Sequence, residues 1–175
     1  MKNILKVCVA SSLLVSAAAA AETSNPLMGG QKMLFEMVSG SLIKGADKMP
    51  EDSYGFKPTP EVRSFAQLVG HAADAQTMFC SIAVGDKPPA TKVENTKTSK
   101  ADLLQALKDS AAYCDKVYSG ITDAEGTQMV KFFGRDSAKL TVLTLNTAHS
   151  DEHYGNMVTY LRLKNIVPPT SERQK

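Results

Sequence analysis

Apolar residues recur at intervals of three and four along four long segments of the chain, the spacing of a helix that buries one face. The clearest segment follows Pro60, and its apolar positions are Phe65, Leu68, Ala72, Ala75, Phe79 and Ile82. Glycine and proline clusters separate the segments, and no convincing set of strands lies between them. We therefore expect an all-α domain, most simply a four-helix bundle, whose two long connections allow crossover winding.

Local capping signals predict where the four helices begin. Thr59 with Pro60 behind it is expected to start the second helix, Ser99 with Asp102 the third, and Asp136 the fourth. The predicted spans are about residues 27–49, 60–84, 100–120 and 137–163. Between them, the polar stretch KPPATKVENTKT is predicted to be an extended loop, and MVKFF a short extended piece.

The first 21 residues resemble a signal peptide, which is removed during export. Lys2 and Lys6 precede a short apolar run, and a string of alanines follows it. We therefore expect one domain over residues 22–175, located in the periplasm or secreted, with no membrane contact after cleavage. That domain keeps 18 basic and 18 acidic residues, so it lacks the basic surface that nucleic-acid binding requires.

Two cysteines, Cys80 and Cys114, remain in the exported domain. An oxidising compartment favours a disulfide between them. If the second and third helices run antiparallel after a tight turn, the two cysteines lie at different heights and cannot bond. If the connection instead runs back along the bundle, the helices are parallel and both cysteines lie near the same end. The alternative is two buried thiols that pack as small apolar residues.

All three histidines lie on apolar helix faces. His149 and His153 are four residues apart on the last helix, so their imidazoles share one face about 6 Å apart along the axis. His71 faces the core from the second helix, three residues after Leu68. A single histidine on such a face is commonly a hydrogen-bonded core residue, but three unligated imidazoles in one core would each need a polar partner. Three imidazoles suit zinc, nickel or a similar ion, with a fourth coordination position open.

The sequence HSDEH also matches the inverted zinc-peptidase motif. That architecture needs a further acidic ligand downstream, and only Glu172 follows in this chain. It also belongs to a mixed α/β domain, so we reject this interpretation. Glu152, Asp74 and Tyr154 lie near the histidines and could support a metal or be ordinary flanking residues; none is predicted to be catalytic.

Two stretches resemble the DinB-like family of metal-binding four-helix bundles. They are MPEDSYGFKPTPEVRSFAQLVGHAAD and NTAHSDEHYGNMVTYLRLKNIVPP, which carry one histidine and the histidine pair. The resemblance implies a metal triad of His71, His149 and His153, and dimerisation would accord with the family. The characterised thiol transferases of this family act in the cytoplasm, whereas the predicted signal peptide would export this protein. That difference bears on the expected thiol-transfer activity and leaves the expected metal ligands unchanged.

The leading functional hypothesis is an exported metal-dependent enzyme of hydrolase or thiol-transferase type that acts on an unknown small molecule. Its cofactor would be one divalent ion, zinc or nickel, with the open position activating water or a thiol. The rival hypothesis is a metal-binding or structural stress protein without turnover. A helical bundle that binds no metal is the third alternative, and a homodimer is a possible assembly in each case.

Overall fold

Four long helices form the bundle in the computed structural model, which describes residues 25–90 and 92–172. Two short helices, a two-stranded hairpin and two 3₁₀ turns connect or follow them. In chain order the elements are α1 (Pro26–Lys48), α2 (Phe65–Val84), α3 (Val93–Thr96), α4 (Lys100–Gly120), α5 (Asp123–Gly126), β1 (Met129–Phe132), β2 (Arg135–Ala138) and α6 (Lys139–Leu163). The prediction of an all-α bundle is confirmed, with the hairpin as a small addition. The predicted signal peptide lies outside the described residues.

The bundle has crossover winding. His71 and Gln76 of α2 contact His153 and Ser150 of α6, so these neighbouring helices are antiparallel. By contrast, Cys80 and Cys114 lie near the same end of α2 and α4, which are therefore parallel. The same reasoning makes α1 parallel to α6, because Gly45 lies against Met157, both near the C-terminal ends. Since α1 is therefore antiparallel to α2, the connection that crosses back along the bundle is the one between α2 and α4.

Two apolar clusters fill the bundle, with a buried polar layer at the height where they meet. One cluster surrounds Leu107 and Met157, and the other surrounds Phe35 and Tyr118. In the polar layer the hydroxyl of Ser110 donates to Oε1 of Gln76 over 2.9 Å. Buried amides and hydroxyls are tolerated in a core when they bond one another in this way.

The predicted starts of two helices are wrong. A better local cap determines the start of α2, and a backbone contact distant in sequence determines the start of α6. Helix α2 begins at Phe65 after a capping box between Ser64 and Gln67, five residues beyond the predicted start at Pro60. The carbonyl of Phe56 accepts the amide of Phe65 over 3.0 Å, which satisfies a free donor of the first turn.

Helix α6 begins at Lys139, and Asp136 does not cap it. Asp136 instead lies in β2 and pairs with Lys131 across the hairpin, their Oδ1 and Nζ atoms 2.9 Å apart. The amide of Lys139 donates to the carbonyl of Gln128 over 2.9 Å, so a backbone group replaces the expected side-chain cap. The predicted start of α4 at Ser99 is confirmed, because its hydroxyl accepts the amide of Asp102.

The connection between α2 and α4 contains the short helix α3, whereas the sequence predicts an extended loop.

A disulfide joins Cys80 to Cys114 across α2 and α4, with a Cα–Cα distance of 5.5 Å. No helix in the described part of the chain is long and apolar enough to span a membrane.

Candidate metal centre

The three histidines converge where α2 faces α6. His71 comes from α2, while His149 and His153 come from successive turns of α6. One ring nitrogen from each lies within 4.8 Å of the other two, and the Nε2 atoms of His149 and His153 are 3.1 Å apart. Two nitrogens bound about 2.1 Å from one tetrahedral ion would lie about 3.4 Å apart, so this pair is already at the right spacing.

The surroundings keep the histidine pair neutral. Burial, followed by the neighbouring imidazoles of His149 and His71, lowers the pKa of His153 to about 4. Burial and then His71 also lower the pKa of His149 below its ordinary value. Because a metal ion binds the neutral imidazole, these residues are in the protonation state that a ligand needs at neutral pH. The donor set therefore fits a first-row divalent ion.

Glu94 orients the third imidazole. Nδ1 of His71 donates to Oε2 of Glu94 over 3.0 Å, and Nε of Arg63 donates to Oε1 of the same carboxylate over 2.8 Å. Partial burial raises the pKa of Glu94, but the hydrogen bonds from Arg63 and His71 outweigh it and hold the pKa below its ordinary value. A carboxylate on one imidazole nitrogen leaves the other free for a metal, the usual arrangement around histidine ligands.

Asp74 fixes the helix that carries Glu94. Its two carboxylate oxygens accept the backbone amides of Val93 and Glu94 over 2.9 and 3.0 Å. Gly70 permits the close approach, because a Cβ atom there would lie 2.7 Å from Cα of Glu94. Asp74 is therefore a structural anchor of α3.

Of the other two candidate residues on α6, one is held by the C-terminal segment and the other is exposed. Tyr154 is buried and its hydroxyl lies 2.9 Å from Oγ1 of Thr170, so it holds the C-terminal segment against the bundle. Glu152 is exposed to solvent. Asn156 instead approaches the site, with its amide nitrogen 3.5 Å from Nδ1 of His153.

Sequence reasoning missed Glu94, Arg63 and Asn156. Glu94 is one acid in a polar connection, and nothing local marks it as a partner of a histidine 23 residues earlier. The available signal is Gly70, directly before His71, because a glycine inside a helix can mark a place where another backbone approaches closely.

Two cavities open beside the histidines. One, of 640 Å³, is lined by residues that include His153, Asn156 and Tyr160. The other, of 430 Å³, is lined by residues that include His71 and His149. Arg63 and Glu94 line both cavities, so their ion pair lies between the two openings through which a molecule can reach the imidazoles.

Comparison with known proteins identifies the family. The family model of the DinB superfamily matches residues 35–157, a span that contains all three histidines. The chain belongs to the DinB superfamily. The uncharacterized protein YjoA of Bacillus subtilis (strain 168) is 28% identical over 120 residues, which cover 67% of this chain and 77% of YjoA.

Two solved structures share the fold. A DinB-like protein from Bacillus cereus is 19% identical with a TM-score of 0.72, covering 81% of this chain and 95% of that protein. The DinB-like protein YjoA from Bacillus subtilis is 24% identical with a TM-score of 0.67, covering 83% and 99%. The resemblance inferred from the sequence is thereby confirmed, as is the DinB-like bundle.

Proposed function

We propose that this DinB superfamily member binds one divalent metal ion, zinc or nickel, through His71, His149 and His153. The observation that carries the proposal is the convergence of three imidazoles, one nitrogen of each within 4.8 Å of the others. The lowered pKa of His153 and the hydrogen bond from His71 to Glu94 support it, because both favour a ring nitrogen with a free lone pair.

We further propose that the site is enzymatic, of hydrolase or transferase type, and acts on a small molecule. The chemistry that a bound divalent ion would supply is activation of water or a thiol, together with polarisation of a substrate oxygen. Within the described residues the cluster of candidate ligands has three members, and catalytic sites of this kind keep a fourth position open. The two flanking cavities, which the histidines line, would give a small molecule access to such a position.

The surrounding residues have separate roles in this proposal. Glu94 orients the His71 ring, and Arg63 holds the Glu94 carboxylate in its ionised form. The apolar side chains beside His71 and His149 reduce competition from water on one side of the rings. A metal-binding or structural protein without turnover would require the same triad, and it is the alternative outcome of the test below.

We also propose that the protein is exported after removal of residues 1–21. The charged and apolar pattern of that segment supports this, and a disulfide between Cys80 and Cys114 accords with an oxidising compartment. Export would place the site in the periplasm or outside the cell.

The test is the metal content of tag-free protein, measured by elemental mass spectrometry beside the His149→Ala/His153→Ala variant. Near-stoichiometric zinc or nickel in the wild type and none in the variant is the expected result. Hydrolase and transferase substrate panels on the loaded protein would then separate an enzyme from a metal-binding protein without turnover. An absence of metal in both proteins after zinc and nickel are offered would refute the metal site.

A further inference from the structure

The turn between β1 and β2 places an aromatic residue where the backbone disfavours one. Phe133 has φ +46° and Gly134 has φ +78°, the left-handed pair of a tight hairpin turn. Asparagine, aspartate or glycine normally occupies the first of these positions, and a bulky residue there is strained. The Phe133 side chain is also 73% exposed, so it gains little burial to offset that strain. The fold alone gives no reason for a phenylalanine here.

Packing brings this turn to the candidate metal centre. The neighbouring Phe132 is buried against Phe79 of α2, with ring centroids 5.5 Å apart. Phe79 lies 5.5 Å from the His149 ring, while Phe133 lies 4.3 Å from Phe132. Phe132 thus docks the hairpin, and Phe133 forms part of the wall of the 430 Å³ cavity beside His71 and His149.

The remaining walls of that cavity indicate what chemistry it accepts. Its apolar side consists of Ala75, Met78, Phe79 and Phe133. Of its acidic residues, Asp74 is engaged by backbone amides, and Glu94 by Arg63 and His71. Lys92 and Arg63 also line the cavity, and their formal charges balance those of Asp74 and Glu94. A divalent ion on the histidines would add positive charge, so an anionic group is favoured beside the apolar wall.

We propose that Phe133 is a substrate-binding residue and that this cavity takes a small amphipathic anion, with an aromatic ring on Phe133 and its acidic group toward Lys92 and the histidines. The inference rests on the proposed metal-dependent function, for which it names the substrate class. An exposed aromatic ring can stack on a substrate ring and has few rotatable bonds to immobilise. The strained turn is then retained for binding, as local conflicts at functional sites often are.

The experiment uses the intact zinc-loaded protein with two probes, 3-phenylpropionate and propionate, whose affinities are measured by NMR titration. The wild type is expected to bind 3-phenylpropionate more tightly than propionate. Phe133→Asn should weaken 3-phenylpropionate binding by about 3–10-fold and leave propionate unchanged, since one aromatic contact is lost. Thermal stability of Phe133→Asn should equal or exceed that of the wild type, because asparagine suits the turn. Phe133→Tyr should retain the binding.

Met129→Ser is the matched control, since Met129 is an exposed apolar residue of the same hairpin that does not line the cavity. Its affinity for both probes should equal that of the wild type. Equal affinities of Phe133→Asn and wild type for 3-phenylpropionate, or no preference for the aromatic probe, would overturn the inference.

Metal content measured on the same samples separates this inference from the proposed function. If zinc binds and the aromatic preference is missing, the metal site stands and Phe133 has no role in binding. If zinc does not bind but 3-phenylpropionate still binds through Phe133, the metal-dependent function fails while the cavity's ligand class is supported.

Discussion

At the scale of single residues, the Glu94 carboxylate determines how His71 presents its ring. It accepts from Nδ1 of His71 and from Nε of Arg63, so one acid joins a candidate ligand to a cation at the border of both cavities. A negative charge on this side of the imidazole makes its other nitrogen a stronger ligand. At the proposed site, Glu94 would therefore act on a metal through His71.

Replacing Glu94 with glutamine should lower zinc affinity by about ten-fold, the lower end of the range for residues that support a ligand. The amide preserves size but removes the charge that favours the ligating state of His71, and its NH2 group cannot accept one of the two hydrogen bonds from Arg63 and His71. Competition with a fluorescent zinc chelator measures the change. Glu152→Gln is the control, and it should alter affinity by less than about two-fold, because solvent screens an exposed charge. A larger loss in Glu152→Gln than in Glu94→Gln would contradict this assignment.

Tyr118 should make the protein sensitive to alkali. Burial raises the pKa of Tyr118 to about 12, even though hydrogen bonds from Thr147 and Asn146 oppose the shift. The folded protein therefore keeps the phenol proton between pH 10 and 12, whereas the unfolded chain releases it. Stability should fall by about 1.4 kcal/mol per pH unit over that window.

Urea unfolding at pH 9, 10 and 11 measures this loss. Tyr118→Phe lacks the ionising group and should show a smaller decline between pH 10 and 11, although it is less stable at neutral pH because Leu143 loses a hydrogen-bond donor. Parallel pH profiles in the two proteins would mean that Tyr118 does not titrate in this window.

At the scale of elements, the position of α3 against α2 assembles the surroundings of the histidines. Asp74 binds the two N-terminal amides of α3, and Gly70 leaves room for the backbone of Glu94. The length of α3 is a single turn, so these contacts rather than helix propensity hold it in place.

Gly70→Ala should displace α3, because the new methyl group would lie 2.7 Å from Cα of Glu94. We expect a loss of about 1–3 kcal/mol in the free energy of unfolding from overpacking. Zinc affinity should fall as well, since Glu94 moves away from His71. Denaturant unfolding and the chelator competition assay measure the two effects.

Gly155→Ala is the matched control within α6, where a Cβ atom would have no neighbour within 4 Å. It should stabilise the protein by about 0.5–1 kcal/mol, the ordinary gain when alanine replaces glycine inside a helix. If Gly70→Ala behaved like Gly155→Ala, the close approach of α3 would have no energetic importance.

The elements that sequence analysis located are those whose signals are local. Ser99 caps α4 as predicted because its partner Asp102 is three residues away. The shared face of His149 and His153 is likewise a consequence of helical spacing alone. By contrast, α6 begins after Ala138 because the carbonyl of Gln128 accepts its first amide, a contact that depends on the hairpin. Glu94 was missed because its position depends on tertiary packing against Gly70.

At the scale of the whole molecule, the crossover winding makes α2 and α4 parallel and places their cysteines at one height. The disulfide between Cys80 and Cys114 closes a segment with a sequence separation of 34 that contains the Glu94 helix. Closing a chain segment lowers the entropy of the unfolded state, and for a loop of this length the effect is roughly 2–4 kcal/mol. The same link restrains the element that orients His71.

Reduction of this disulfide should therefore lower the free energy of unfolding by roughly 2–4 kcal/mol, or the melting temperature by roughly 5–15 °C. Thermal unfolding of the metal-free protein with and without a phosphine reductant measures the difference. Cys80→Ala/Cys114→Ala should melt near the reduced wild type and should not respond to the reductant. Equal responses of the two proteins would mean that the link does not stabilise the bundle. A wild type that retains both free thiols after periplasmic purification would contradict the pairing itself, and with it one support for export.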